Sequence, residues 1–289
     1  MLFGRECVMM YPCSCLLWAG KRERGMTMNL LIFASIILSV LLGVGRAVDL
    51  ACFTDPSTGL CLVGSVWLRY AALGVTVGLA ALAGRIFPCK PQQLCKSNRP
   101  AAAEAVLSGV LLVVAGVLRL FWGSSPVAQG VGGFLTSWCG AWLLALGQSW
   151  RRAEWKRPTE SLTSAVLGSA IFYWGVLARF MENSSSWHRV GPTATVWQML
   201  AALVFLSALI RALYLPETSN GRMLCAGGLC SFALCLCWEL PELLTSLPEG
   251  VEELPDFFFG LGLCGVGAMG LLCVLRGAGA REASRHSVG

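Results

Sequence analysis

The chain has 289 residues, of which 56% are hydrophobic and only 13% charged, about half the roughly 25% charged content of a soluble domain. That balance excludes a water-facing surface over most of the chain. The net charge of +6 does not read as a nucleic-acid footprint, because no basic stripe is interleaved with aromatic residues.

Many apolar runs reach about 18–22 residues, enough to cross a hydrocarbon layer of about 30 Å at 1.5 Å per residue. The expected fold is all-α: a polytopic integral membrane protein of about eight transmembrane helices, arranged as four helical hairpins. Gly and Trp are abundant (33 and 11), as membrane helices and their interfacial belts prefer.

Residues 1–27 form an N-terminal leader with Cys7, Cys13 and Cys15 and the run Lys21-Arg22-Glu23-Arg24-Gly25. The positive charges follow the apolar patch, the reverse of a secretory signal. The stretch reads either as a cytoplasmic leader or as sequence upstream of a true start at Met26 or Met28. Lys, Arg, Glu and Gly codons can be purine-rich, like a ribosome-binding site. The expected membrane domain is 28–276, followed by a short polar cytoplasmic tail, 277–289.

Spans are predicted at 28–45, 62–82, 102–122, 126–147, 161–181, 194–214, 223–240 and 256–275. Gly123-Ser124-Ser125-Pro126 is a tight turn between the third and fourth, and Pro241 is expected to end the seventh. Lys and Arg fall on alternate loops. Seventeen of the 22 lie on one side, in the leader, the loops at 83–101 and 148–160, the flanks of the sixth loop (Arg211, Arg222) and the tail. Arg46, Arg69, Arg119, Arg179 and Arg189 lie on the other. The positive-inside rule then places the chain in the cell membrane with both termini cytoplasmic.

The hairpins look repeated. At an offset of 60, Ala105-Val106-Leu107, Arg119 and Ser124-Ser125 match Ala165-Val166-Leu167, Arg179 and Ser184-Ser185. A two-span unit would give parallel repeats related by an axis along the membrane normal, unlike inverted-repeat transporters.

Few motifs suggest chemistry. Gly260-Leu-Gly262-Leu-Cys-Gly265 matches a dinucleotide fingerprint, but no strand precedes it. With Gly267 and Gly270 it reads as a smooth helix face that admits a close neighbour, and Gly74 and Gly78 read the same way in the second span. Most of the fourteen cysteines read as apolar filler. Cys52 and Cys61 share an outer loop and are a candidate disulfide. Asn183-Ser184-Ser185 is a glycosylation acceptor only in a eukaryotic secretory pathway. With two histidines, His188 and His286, no catalytic or metal constellation assembles. No enzymatic activity, cofactor or metal is expected.

The outer ends of the spans carry the sharper signal. Arg46, Arg119 and Arg179 end spans 1, 3 and 5, and Glu239 takes the matching place on span 7. Arg69 is predicted about two turns inside span 2. Trp67, Trp138, Trp197 and Phe258 are placed near the outer starts of the even spans. The bland interpretation is an interfacial belt with snorkelling arginines. The sharper one is a polar ring around an outward-opening cavity, with Arg46, Arg69, Arg119, Arg179 and Glu239 as ligand-binding residues for a small anionic solute. The last outer loop (Glu239, Glu242, Glu249, Glu252, Glu253 and Asp256, punctuated by Pro241, Pro248 and Pro255) reads as a solvated loop or as a lid whose carboxylates pair with the arginines. The two functions kept open are a small-solute transporter or permease-like protein and a non-transporting interaction or sensor module.

Reporter fusions after Arg99 and after Arg157 should be active only with a cytoplasmic reporter. An external signal at either position would overturn the eight-span topology.

Overall fold

The computed structural model describes residues 13–55, 60, 62, 64–121, 126–181, 190–217, 220–245, 247, 250–251 and 253–286, with side chains described from Leu30 to Ala278 except for those of 126–129. The described elements are helices, with eight candidate membrane spans. The chain is a multi-pass all-α membrane protein.

Helix α1 is Cys13–Cys52, of which Leu30–Cys52 is the apolar span. Helix α2 is Val66–Ile86, α3 Arg99–Phe121, α4 Pro126–Arg151, α5 Leu162–Met181 and α6 Val190–Tyr214. The seventh span is composite: α7 Gly221–Ser231, a π-helical segment Phe232–Trp238, and α8 Glu239–Thr245. The last helix, α9, is Leu254–His286 and carries on through most of the expected tail. The turn at Gly123-Ser124-Ser125, Cys61, the 183–185 acceptor, His188 and Arg189, and Pro248, Glu249 and Glu252 lie outside the described residues.

Several boundaries differ from expectation, the first span running on to Cys52 rather than 45, and two of the differences have a clear physical cause. The second span starts at Val66 rather than 62. Gly64 takes φ +91°, a left-handed conformation natural to glycine, and Ser65 is extended as the N-cap. The seventh span does not stop at Pro241 but runs to Thr245. Proline lacks an N–H and its ring crowds the carbonyl four residues back, that of Cys237. The π segment immediately upstream widens the turn, and a neighbour accommodates the carbonyl: the Cys237 oxygen lies so close to α1 that a methyl on Gly43 would come within 2.6 Å of it. Gly43 is the residue type that this approach requires.

Six helices, α3, α4, α5, α6, α7 and α9, pack as a closed ring in that neighbour order, with α9 against both α3 and α7. Leu112, Trp142, Phe172, Phe205, Leu263 and Met269 are buried in its apolar core. The α1–α2 pair is attached at the side, α2 on α7 and α1 on the π segment and α8. Its spans are only 28% and 22% buried, against 61–67% for the last three, so most of the pair's surface is left uncovered by the rest of the chain.

The end of the bundle carrying Arg46, Glu239 and Asp256 is here called the acidic face, and the opposite end the basic face. At the basic face the 87–98 connection is tied down. Trp150 Nε1 donates to Leu94 O at 2.8 Å, Ser97 Oγ to Trp150 O at 3.0 Å, and Cys89 N to Gly221 O at 3.0 Å. Burial pushes the Cys95 thiol in this connection above its ordinary range, against the pull of Arg157.

Glycine sets the closest helix contacts. Gly109 and Gly140 face each other across α3 and α4: a methyl on Gly140 would meet Gly109 O at 2.6 Å and Val113 N at 2.7 Å. The Gly260–Gly270 row on α9 meets neighbours on several sides, Leu243 at Gly260, Leu112 at Gly262 and Gly228 at Gly270. The dinucleotide match thus lies inside a helix as a packing face. Gly74 and Gly78 differ from expectation, since a methyl at either would touch nothing within 4 Å. The neighbours of α2 sit against its other faces.

Gly140→Ala should therefore destabilise the purified protein by about 1–3 kcal/mol through backbone overpacking. Gly78→Ala should be neutral or slightly stabilising, since alanine is the better helix former. Equal melting temperatures for the two variants in detergent would refute the packing argument.

Candidate functional site

The acidic face gathers its charges on the ends of α1 and α2, the end of the seventh span and the start of α9. Helix α1 extends past Arg46 by nearly two turns, so Arg46 and Asp49 sit on one helical face three residues apart. Arg46 Nη1 donates to Asp49 at 3.0 Å, and Nη2 to Glu242 of α8 at 3.3 Å. Its guanidinium stacks over the Trp238 ring, 4.6 Å from the centroid. Arg46 is 7% exposed; such depth suits an arginine whose charge and planar donors are matched.

Arg69 approaches the same carboxylate from α2. Its Nε donates to both Asp49 oxygens at 3.0 Å, and its Nη2 also pairs with that carboxylate. Because Gly64 ends the preceding extended stretch, Arg69 falls in the first turn of α2. The sequence-based expectation of two turns of depth is corrected. Asp49 thus bridges two arginines on two helices and holds the α1–α2 pair together at this end.

Glu239 has a different partner. Its carboxylate accepts from Gln198 Nε2 at 2.6 Å, and the same amide donates to Leu234 O in the π segment at 3.2 Å. Gln198 is fully buried. It supplies a side-chain donor where the widened turn disturbs the backbone ladder, the usual remedy inside a membrane. Glu239 is not paired with Arg179.

Arg119 forms a separate centre. Its Nη2 pairs with Asp256 of α9 at 2.7 Å, Nη1 donates to Thr136 at 3.4 Å, and the guanidinium lies over Phe259, 4.4 Å from the centroid. Arg179 stands exposed at the end of α5, which packs on α4 and α6. The equal spacing of 119, 179 and 239 therefore does not give equal surroundings. Cys52 is exposed at the end of α1, and its proposed partner Cys61 is not among the described residues.

The aromatic belt is uneven. Trp67 is exposed at the start of α2. Trp138 is not at the acidic face: it lies twelve residues into α4, and its Nε1 donates to Ser164 O at the basic end of α5 at 3.1 Å. No group of three or more His, Cys, Asp and Glu among the described residues could hold a metal ion.

Arg46, Asp49 and Arg69 close one end of a cleft of about 930 Å³ between α1 and α2. Apolar side chains, including Leu38, Leu41, Leu68 and Val75, line its length, with Trp238 of the π segment also contributing. Its size falls at the upper end of small-molecule sites, about 300–1,000 Å³. Arg119 and Arg179 do not line it. Asp49 and Trp238 line the cleft and were missed by sequence reasoning, as was Gln198, which with Glu239 lies outside the cleft lining. A carboxylate three residues after Arg46 and a lone glutamine in an apolar span were the available signals.

The chain matches no known family model, no curated protein and no solved structure.

If the two arginine environments differ as described, Arg46→Lys should cost about 1 kcal/mol or more in detergent, because an ammonium cannot keep the two carboxylate bonds and the stacking together. Arg119→Lys should cost less, since its partner Asp256 is 82% exposed. Melting temperatures at the wild-type value for both variants would return Arg46 to a passive interfacial role.

Proposed function

We propose that this multi-pass membrane protein is a permease-like binding protein for an amphipathic molecule that enters the α1–α2 cleft sideways from the bilayer. The observation that carries the reading is the cleft itself. It is apolar along its length, flanked by the two least buried spans, and closed at one end by Arg46, Asp49 and Arg69. A freely water-soluble anion would need a polar route, whereas a tail in the cleft with its head at the charged end suits both halves of the site. By the positive-inside rule the basic face is cytoplasmic, which puts that charged end at the outer surface of the cell membrane. The chain acts here as a binding and transport protein rather than as an enzyme.

A second reading, a non-transporting sensor, is favoured by the largely apolar core of the α3–α4–α5–α6–α7–α9 ring, where the buried Ser108, Thr136, Ser169 and Gln198 side chains are bonded to nearby protein groups.

Native mass spectrometry of gently extracted protein tests the binding function. A retained small amphiphile is expected, and it should be lost from Gly45→Leu/Ala72→Leu, which fills the cleft at positions where Gly45 has open space. Equal retention by this variant, with its melting temperature unchanged, would rule out the cleft. Flux of the bound molecule across proteoliposomes then separates carrier from sensor.

A further inference from the structure

The charged end of the cleft contains donors in excess of acceptors. Arg46 Nε is buried and has no hydrogen-bond partner among the described residues, and neither has Trp238 Nε1. Both residues line the cleft, at 7% and 3% exposed, and the Arg46 guanidinium stacks on the ring that bears the indole N–H. Orphaned buried donors are costly and uncommon. Both groups can only donate, so what satisfies them must be an acceptor.

The guanidinium geometry narrows the acceptor further. Nε and Nη2 share one edge of the planar fork, the edge that grips an oxyanion with two parallel bonds. Of these two nitrogens only Nη2 has a partner, Glu242, by a single bond at 3.3 Å. Glu242 is 41% exposed and comes from a separate helix, so solvent competes for its bond to Arg46. Asp49, by contrast, is held by two arginines and stays.

Resting on the cleft reading above, we propose that the ligand is a single-chain amphiphile with an oxyanionic head, a carboxylate or a phosphate monoester. Its head binds the Nε–Nη2 edge of Arg46 in place of the Glu242 carboxylate, with Trp238 Nε1 as a third donor, and its chain lies in the apolar cleft. Glu242 is a built-in stand-in for the ligand: it neutralises Arg46 when the cleft is empty and swings away when the ligand arrives. A single chain, rather than a diacyl lipid, suits a cleft that lies between only two helices.

The test uses the full chain in nanodiscs of zwitterionic lipid, labelled with a photoactivatable hexadecanoic acid and competed with hexadecanoate, hexadecyl phosphate, hexadecanol and hexadecyltrimethylammonium. Labelled peptides are expected from α1 and α2. The two oxyanions should compete at concentrations about tenfold or more below those of the alcohol and the ammonium compound. Glu242→Gln should tighten hexadecanoate binding about two- to fivefold, as expected for the loss of a partly exposed competitor, and leave hexadecanol unchanged. Arg46→Gln should abolish the preference for oxyanions; if that variant does not fold, Glu242→Gln decides alone. Equal competition by all four heads, or no change in Glu242→Gln, overturns the head-group assignment while the cleft reading stands. An anionic diacyl phospholipid that competes as well as hexadecanoate overturns the single-chain assignment. Absence of label from α1 and α2, or crosslinks between two copies through those helices, overturns the cleft reading and this inference together.

Discussion

Inside a hydrocarbon layer a backbone amide or carbonyl has no water to turn to, and each one left unsatisfied costs several kcal/mol. That constraint fixes the spans of this chain as helices and governs their exceptions. The exception that matters is the seventh span. Pro241 removes a donor from a helix that must nevertheless continue to Thr245. The π segment redistributes the backbone bonds, Gln198 donates to the Leu234 carbonyl, and Gly43 makes room for the Cys237 carbonyl. Those adjustments bring α1 and α6 against the same stretch of helix. Trp238, Glu239 and Glu242 follow one another along that stretch, so one backbone irregularity positions the stacking partner of Arg46, the partner of Gln198 and the second carboxylate on Arg46.

The spans were legible because their length and apolar content leave few alternatives, and all eight lie close to the predicted positions. What surrounds each span was not legible. Lipid-facing and core-facing residues are both apolar, so hydropathy does not distinguish the peripheral α1–α2 pair from the enclosed α6 and α9. Glycine illustrates the gap. Gly74 and Gly78 on α2 and Gly260 and Gly270 on α9 look alike in sequence, yet the first two face open space and the others touch neighbouring helices. A small-residue row indicates that a helix can be approached, not that anything approaches it.

The site was legible in part for a similar reason. Arginines on the side that the charge rule disfavours must be accounted for, which singled out Arg46, Arg69, Arg119 and Arg179, of which the first two line the cleft. Their partners come from distant points in the chain. Asp49 could have been found from its spacing to Arg46, but its second bond, to Arg69, depends on where α2 begins, and that depends on the conformation of Gly64. Glu239 stands in line with Arg119 and Arg179 by sequence interval, yet the π segment and Pro241 give it a setting of its own beside Gln198. Equal spacing in sequence carries over to equal environment only where the helices are equally regular.

Arg46, Arg69 and Arg119, the three arginines in the described ion pairs, differ in how enclosed they are, and the difference bears on the proposed function. Arg119 meets a carboxylate that is largely in water, where an ion pair contributes little and screening is strong. Arg69 is bound to a carboxylate that it shares with Arg46. Arg46 is the most enclosed, and it alone reaches two carboxylates and an indole face. If the arginines served only to anchor helix ends at the headgroups, the most enclosed of them would have no reason to sit at the mouth of a cleft, and lysine would serve as well at each position. A planar fork sunk between helices, with one edge half-occupied by a partly exposed carboxylate, is an arrangement that anchoring does not require and that the proposed oxyanion recognition would use.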